Sequence, residues 1–324
     1  MYITTREAPG GRSLRRGRGA VLAGLVATLV LTAVGCSSGG ATTDSANSTS
    51  VISAVGAENE YANVLGQIGG RYVHVSAILD NPNTDPHTFE ASPQVAQEVS
   101  SAQLIVQNGV GYDSWMNKIE SASPNSNRRV ITVQRVLGLP ASTPNPHLWY
   151  DPATMPAVAK VIAADLSTLQ PAHKAYFQAR LGAFNRSLAQ WLAAIAHFKA
   201  KYPGTTAATT EPVADYLLRA MGITNLTPFR YQADIMNGID PAPQDIALEN
   251  SFFSQHKVKL FAYNQQVTSA LTSSVRDNAL KAGVPVVGVY ETMPTGYTYQ
   301  RWMLAEVNAI SKAVTSKIST QKLS

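Results

Sequence analysis

Cysteine is nearly absent from this 324-residue chain, with Cys36 standing alone. A single cysteine closes no intramolecular disulfide and builds no thiolate zinc site. There is no G-x-x-x-x-G-K-[ST] loop to cradle a nucleotide phosphate, and no H-E-x-x-H pair of the zinc-protease type. Long apolar runs are missing after Ala20–Val34, a stretch of fifteen residues that is itself short for a membrane span. Surplus positive charge is missing too once the first segment is set aside. Residues 1–35 carry five arginines and one glutamate, so without them the formal net charge falls from +5 to +1. The basic character belongs to that segment, and no nucleic-acid patch remains.

The first segment has a function of its own. Arg12, Arg15, Arg16 and Arg18 precede the apolar run, which ends in the small residues AVGC at Cys36. Residues 1–35 therefore read as a signal peptide. Its end resembles a bacterial lipobox, with alanine at Ala33 where leucine is commoner and Cys36 as the lipidated residue. Arg15 and Arg16 lie in surroundings that fit a twin-arginine signal poorly. Ser37 to Ser50 are rich in Ser, Thr and Gly and low in bulky apolar residues, too little to bury for folding. Residues 36–50 are thus expected to form a flexible tether, spanning roughly 20 Å. The expected location is exported, lipid-anchored through Cys36 on the outer face of the cytoplasmic membrane.

From Val51 onward short β-branched runs alternate with helical stretches. Strands are expected at Val51–Val55, Tyr72–Leu79, Leu104–Gln107 and Val130–Val133, with helices at Glu58–Ile68, Pro93–Ala102 and Ser114–Ser121 between them. The series then begins again. Strands are expected at Thr205–Thr209, Asn225–Thr227, Val258–Tyr263 and Val284–Tyr290, and helices at Pro212–Met221, Pro243–His256, Thr268–Ala282 and Tyr299–Ser316. Two such series imply an α/β fold of two lobes, 51–170 and 202–324, each with a mostly parallel sheet flanked by helices. Between them, residues 171–201 contain no proline after Pro171. Phe177, Leu181, Phe184, Leu188, Trp191, Ile195 and Phe198 recur there at spacings of 4 and 3. That stripe predicts one long rigid linker helix of roughly 46 Å at 1.5 Å per residue.

Histidine is scarce, six in all, yet two sit in matching loops: Asp85-Pro86-His87 and Asn145-Pro146-His147. Each follows a strand of the first lobe, and in parallel α/β sheets ligands bind beyond the carboxyl ends of strands. Glu211 follows the run TTAATT and Glu291 follows VPVVGVY in the second lobe. Two imidazoles and two carboxylates facing one cleft make a reasonable set for a divalent transition ion, whose charge two carboxylates cancel. The prolines lower the entropy lost when a ring is fixed. Plainer roles also exist: Glu211 as an acid at a helix start, Glu291 as a solvated strand end, Asp151 as the N-cap of a helix beginning there. Ser92-Pro93 reads as a cap and first turn. His74 reads as an outward strand residue, His173 and His197 as solvated, and His256 as a helix end.

The stretches DPHTFEASP (85–93), NPHLWYDP (145–152), EPVADYLLRAMGI (211–223) and VPVVGVYETMPTGYTYQRWM (284–303) together resemble the metal-binding lipoproteins of bacterial ABC importers, the zinc and manganese solute-binding family. The resemblance runs from Val51 nearly to the end. It implies a cleft site with His87, His147, Glu211 and Glu291 at the ligand positions and one Zn²⁺, Mn²⁺ or Fe²⁺ bound. It also implies a monomer whose partners are a membrane permease and its ATPase on separate chains. Zinc-binding members often place a third histidine where Glu211 stands and carry a His-rich loop absent here; members usually have aspartate where Glu291 stands. Two oxygens beside two nitrogens suit manganese or iron and still bind zinc, which lies higher in the affinity series. A capture function requires no enzyme activity. The alternatives are an adhesin-like surface lipoprotein with a structural metal, and a metallohydrolase, which needs a ligand position open to water.

Overall fold

The computed structural model describes residues 51–83 and 85–323. The signal peptide, Cys36 and the tether lie outside them. In chain order the first half contains β1 (Ile52–Glu58), α1 (Asn59–Gly69), β2 (Val73–Leu79), α2 (Pro93–Ser101), β3 (Leu104–Gln107), α3 (Ser114–Ala122), β4 (Arg129–Thr132), α4 (Val133–Val136) and α5 (Thr154–Leu169). Two helices follow, α6 (Lys174–Ser187) and α7 (Ala189–Lys201). The second half contains β5 (Thr206–Thr209), α8 (Asp215–Ala220), β6 (Thr224–Asn225), α9 (Phe229–Met236), α10 (Pro243–Ser254), β7 (Leu260–Asn264), α11 (Ala270–Lys281), β8 (Val286–Val289) and α12 (Tyr299–Ser316).

Both sheets are wholly parallel and share one order: β2-β1-β3-β4 and β6-β5-β7-β8. In each, the chain runs outward one way and then the other, which opens a crevice at the carboxyl ends of the central strands. The inner strands are apolar on both faces; all residues of LIVQ in β3 and LFAYN in β7 are buried. Alternation sorts them. Leu260 and Ala262 of β7 join one core, while Phe261 and Tyr263 join another beneath α10 and α11. In β1, Ile52 and Ala54 point one way, and Val55 and Ala57 meet Val99 and Met116 on the other.

The inward faces of the two sheets belong to one continuous apolar cluster, reached from both sides by α5, α6, α7 and α12. The lobes are therefore parts of one compact unit. Phe177, Phe184, Leu188, Trp191, Ile195 and Phe198 are buried in it, so the expected stripe faces the core. The helical run is not continuous. At Leu188 one residue adopts a turn, its N–H reaching the Asn185 carbonyl at 3.4 Å, while the Ser187 hydroxyl donates to the Phe184 carbonyl at 2.7 Å. A hydroxyl bonding back into the preceding turn competes with the helical ladder there.

Smaller differences have local causes. Asp151 accepts from the Ala153 N–H at 2.9 Å and closes a turn; helix α5 begins at Thr154 without a side-chain cap. Helix α8 begins at Asp215, three residues beyond Pro212. His173 stacks flat on Tyr72, ring centres 3.8 Å apart, instead of lying free in solvent. Ser92 does cap α2, accepting from the Val95 N–H, with Pro93 as its first residue. The outer edge of β8 is covered by the chain itself: the Gly288 N–H donates to the Thr320 carbonyl at 2.8 Å, and the Thr320 N–H to the Val286 carbonyl at 2.9 Å. A Cβ at Gly288 would lie 2.1 Å from the Gln321 carbonyl, so only glycine admits this approach.

Candidate metal centre

The two histidine loops use the same local device. Asp85 Oδ1 accepts the His87 N–H at 2.8 Å, and Asn145 Oδ1 accepts the His147 N–H at 3.0 Å. In each case an Asp or Asn side chain closes a turn over the intervening proline. This explains why the D-P-H and N-P-H patterns recur: they aim an imidazole from a loop without help from a helix. The carboxylates are presented more simply. Glu211 lies two residues beyond β5 and Glu291 two residues beyond β8.

Three of the four groups converge. His87 Nε2 lies 3.3 Å and His147 Nε2 3.2 Å from one oxygen, Glu291 Oε2, and ligating atoms of all three lie within 4.8 Å of one another. The side chains of His147 and Glu291 are fully buried, while His87 keeps 27% of its surface open. Such a cluster could hold one metal ion. Glu211 stands outside it, tied through Asn264, whose Nδ2 donates to Glu211 Oε1 at 3.2 Å and to Glu291 Oε1 at 2.7 Å. Glu211 Oε2 is buried without a hydrogen-bond partner. A partnerless buried carboxylate oxygen, joined through Asn264 to a carboxylate that meets two imidazoles, fits a site meant for a cation.

Electrostatics follow from this packing. Burial pushes Glu291 up, but hydrogen bonds and charges from His147 and His87 outweigh it and hold the carboxyl below its usual range. Burial pulls His87 down, yet the hydrogen bond and charge of Glu291, with Asp85 behind, leave it raised. For Glu211, burial and then the Glu291 charge raise the carboxyl well above its ordinary value, the Asn264 bond opposing. Burial thus disfavours the charged form of Glu211, and a divalent ion beside it favours that form.

The surrounding shell contains residues that sequence patterns did not single out. The Tyr112 hydroxyl donates to Glu291 Oε2 at 3.0 Å, and its ring meets both imidazoles edge-on. Asn145 orients His147 twice over, since its Oδ1 also lies 2.8 Å from the ring Nδ1. The Asn145 Nδ2 donates across the lobes to the Pro212 carbonyl at 2.7 Å, which fixes which end of the amide is oxygen. His147 Nδ1 therefore donates to Asn145, and Nε2 faces Glu291. Tyr216 closes the same junction, its hydroxyl donating to the Asn145 carbonyl at 3.0 Å. Further back, Tyr150 donates to the Tyr290 carbonyl at 2.8 Å and to buried Glu306 at 3.4 Å.

Known proteins share this architecture. The periplasmic zinc binding protein TroA from Treponema pallidum superposes with a TM-score of 0.68 at 20% identity, covering 82% of this chain and 98% of that one. FpvC of Pseudomonas aeruginosa, solved in complex with Mn²⁺, gives 0.66 at 20% identity over 82% and 98%. At that identity the likeness speaks for the fold. In sequence, the manganese ABC transporter substrate-binding lipoprotein PsaA of Streptococcus pneumoniae is 25% identical over 178 residues, 51% of this chain and 56% of its own. The match thus spans about half the length of that relative. Residues 55–313 match the family described as zinc-uptake complex component A, periplasmic (ZnuA). The chain belongs to the ZnuA family of zinc-uptake components.

Proposed function

We propose that this protein is the substrate-binding component of an ABC importer, capturing one divalent transition ion, Zn²⁺, Mn²⁺ or Fe²⁺, and passing it to a membrane permease. The observation that carries it is the meeting of His87 and His147 from the first lobe with Glu291 from the second on a single oxygen, with Glu211 Oε2 left partnerless behind them. His87, His147 and Glu291 are the ligands under this proposal, and Glu211 joins as the fourth. The ion is cargo: no residue near it is placed as a base toward a substrate, and no enzyme activity is assigned.

Delivery follows from the same arrangement. The permease and its ATPase are separate chains, and the protein works as a monomer held to the outer face of the cytoplasmic membrane by a lipid on Cys36, after removal of residues 1–35. Residues 36–50 act as the tether, 51–170 and 202–324 as the lobes, and 171–201 as the linker. A core common to both lobes opposes wide opening, so loading and release proceed by movement of the His87 loop, the most open part of the site. Among the described residues no helix is long and apolar enough to cross a membrane. Titration calorimetry on chelator-stripped protein tests the proposal. One tight site per chain for Zn²⁺ or Mn²⁺, lost when His87 and His147 are both changed to alanine, is expected; absence of heat with Zn²⁺, Mn²⁺ and Fe²⁺ rejects it.

A further inference from the structure

Asn264 stands between the two acids, at the end of the strand that separates theirs in the sheet. Its NH₂ group has two hydrogens, and both are used: one on Glu291 Oε1 at 2.7 Å, one on Glu211 Oε1 at 3.2 Å. The amide cannot turn away. Asn264 Oδ1 accepts the Gln266 N–H at 3.0 Å, its own N–H donates to Thr210 Oγ1 at 2.9 Å, and the residue is fully buried. Each carboxyl group thus has one oxygen held by the amide, and the other oxygen of Glu291 also accepts the Tyr112 hydroxyl. For Glu291 the remaining oxygen faces the two imidazoles; for Glu211 it is the partnerless Oε2.

We infer that Asn264 is a specificity-determining residue that makes both acids one-oxygen ligands and thereby favours zinc over manganese. The inference rests on the metal-receptor proposal above. Two imidazole nitrogens and two single oxygens make four donors, the number and type that zinc takes. Manganese prefers an octahedral, oxygen-rich shell. To reach it with these side chains a carboxylate has to turn both oxygens to the ion, and that pulls its oxygen out of line with the buried bond to Asn264. The ligand types alone, with two carboxylates free to offer both oxygens, suit manganese; the amide behind them removes the extra oxygens.

The test compares wild type with Asn264→Ala and Asn264→Asp after chelator stripping, by competition between Zn²⁺ and Mn²⁺, with X-ray absorption on the zinc-loaded wild type. The aspartate variant keeps the acceptor for Gln266 and guards against an alanine variant that fails to fold. The expected result is four N/O neighbours around zinc in wild type and a zinc-over-manganese preference that falls ten- to a hundredfold in the variants, the range typical for groups that orient metal ligands. Equal weakening for both ions, an unchanged preference, or five or six neighbours around zinc in wild type overturns the inference and leaves the receptor proposal standing. A wild-type protein that binds neither ion removes both.

Discussion

The two lobes build their sheets alike and present their candidate ligands differently. His87 lies eight residues beyond β2 and His147 fifteen beyond β4, whereas each glutamate lies two beyond its strand. The first lobe has to steady its imidazoles with Asx turns, a cross-lobe amide and the Tyr112 ring. The second inherits its geometry from the sheet and adds one asparagine. The difference teaches where adjustment can occur: a ligand next to a strand end moves only with the strand, while a ligand on a loop can leave alone. It matches the exposure, which is confined to His87 among the three clustered groups.

Glu291→Ala should break the arrangement most severely, because one oxygen serves both imidazoles. Removing one member of a buried ionic cluster costs roughly 3–5 kcal/mol, two to four orders of magnitude in Kd. Calorimetry with Zn²⁺ should show that loss, and a smaller one for His87→Ala, the more exposed partner.

The lobes also differ in their buried acids away from the site. Burial raises Asp113 of the first lobe to about 6 and Glu249 of the second to about 8. In both cases the unfolded chain ionises first, so the native state holds more protons over the interval and stability falls as pH rises. For Asp113 the fall runs from 3.8 to about 6, and for Glu249 from 4.5 to about 8. The Glu249 interval corresponds to on the order of 5 kcal/mol. In Glu249→Gln, which keeps an acceptor for the Thr227 hydroxyl, that decline should vanish. Denaturant titrations of metal-free protein at pH 5, 7 and 9 measure it, and a variant that keeps the wild-type slope would show Glu249 to be ionised throughout.

Asn145→Ala should weaken zinc ten- to a hundredfold by freeing the His147 ring and the Pro212 carbonyl together. An unchanged affinity, read in the same calorimeter, would mean that the ring holds its tautomer without help. Tyr216→Phe tests the smallest link: losing its bond to the Asn145 carbonyl should cost about 1 kcal/mol in thermal or chemical stability. Little change in metal affinity is expected, since the Asn145 side chain keeps its own partners.

Most of the frame was visible beforehand because parallel strands leave apolar runs and helices leave a 3.6-residue beat. Leu104–Gln107 and Tyr299–Ser316 were placed to the residue. Helix α9 lies outside the expected elements, although Pro228 precedes it and Asn237-Gly238 follow it. The turn at Leu188 could not be seen, for the stripe continues through it undisturbed. At the site, His87 and His147 announced themselves by proline context, and the glutamates by following strands. Asn264, Asn145 and Tyr112 did not. Each acts in part through a hydrogen bond to a partner distant in the chain: Tyr112 to Glu291, Asn145 to Pro212, Asn264 to Glu211. Periodicity carries no trace of such pairs, and a buried asparagine at a strand end looks like the start of a loop.

Strand β8 ends beside Glu291 and lies on the border of its sheet, where bare N–H and C=O groups would otherwise invite another molecule to add a strand. The chain fills that place itself with the segment around Thr320, and Gly288 is the vacancy that lets it lie close. Copies crowded together therefore find no ladder to extend on this side, and the strand that positions an acid of the candidate site is spared deformation by a neighbour.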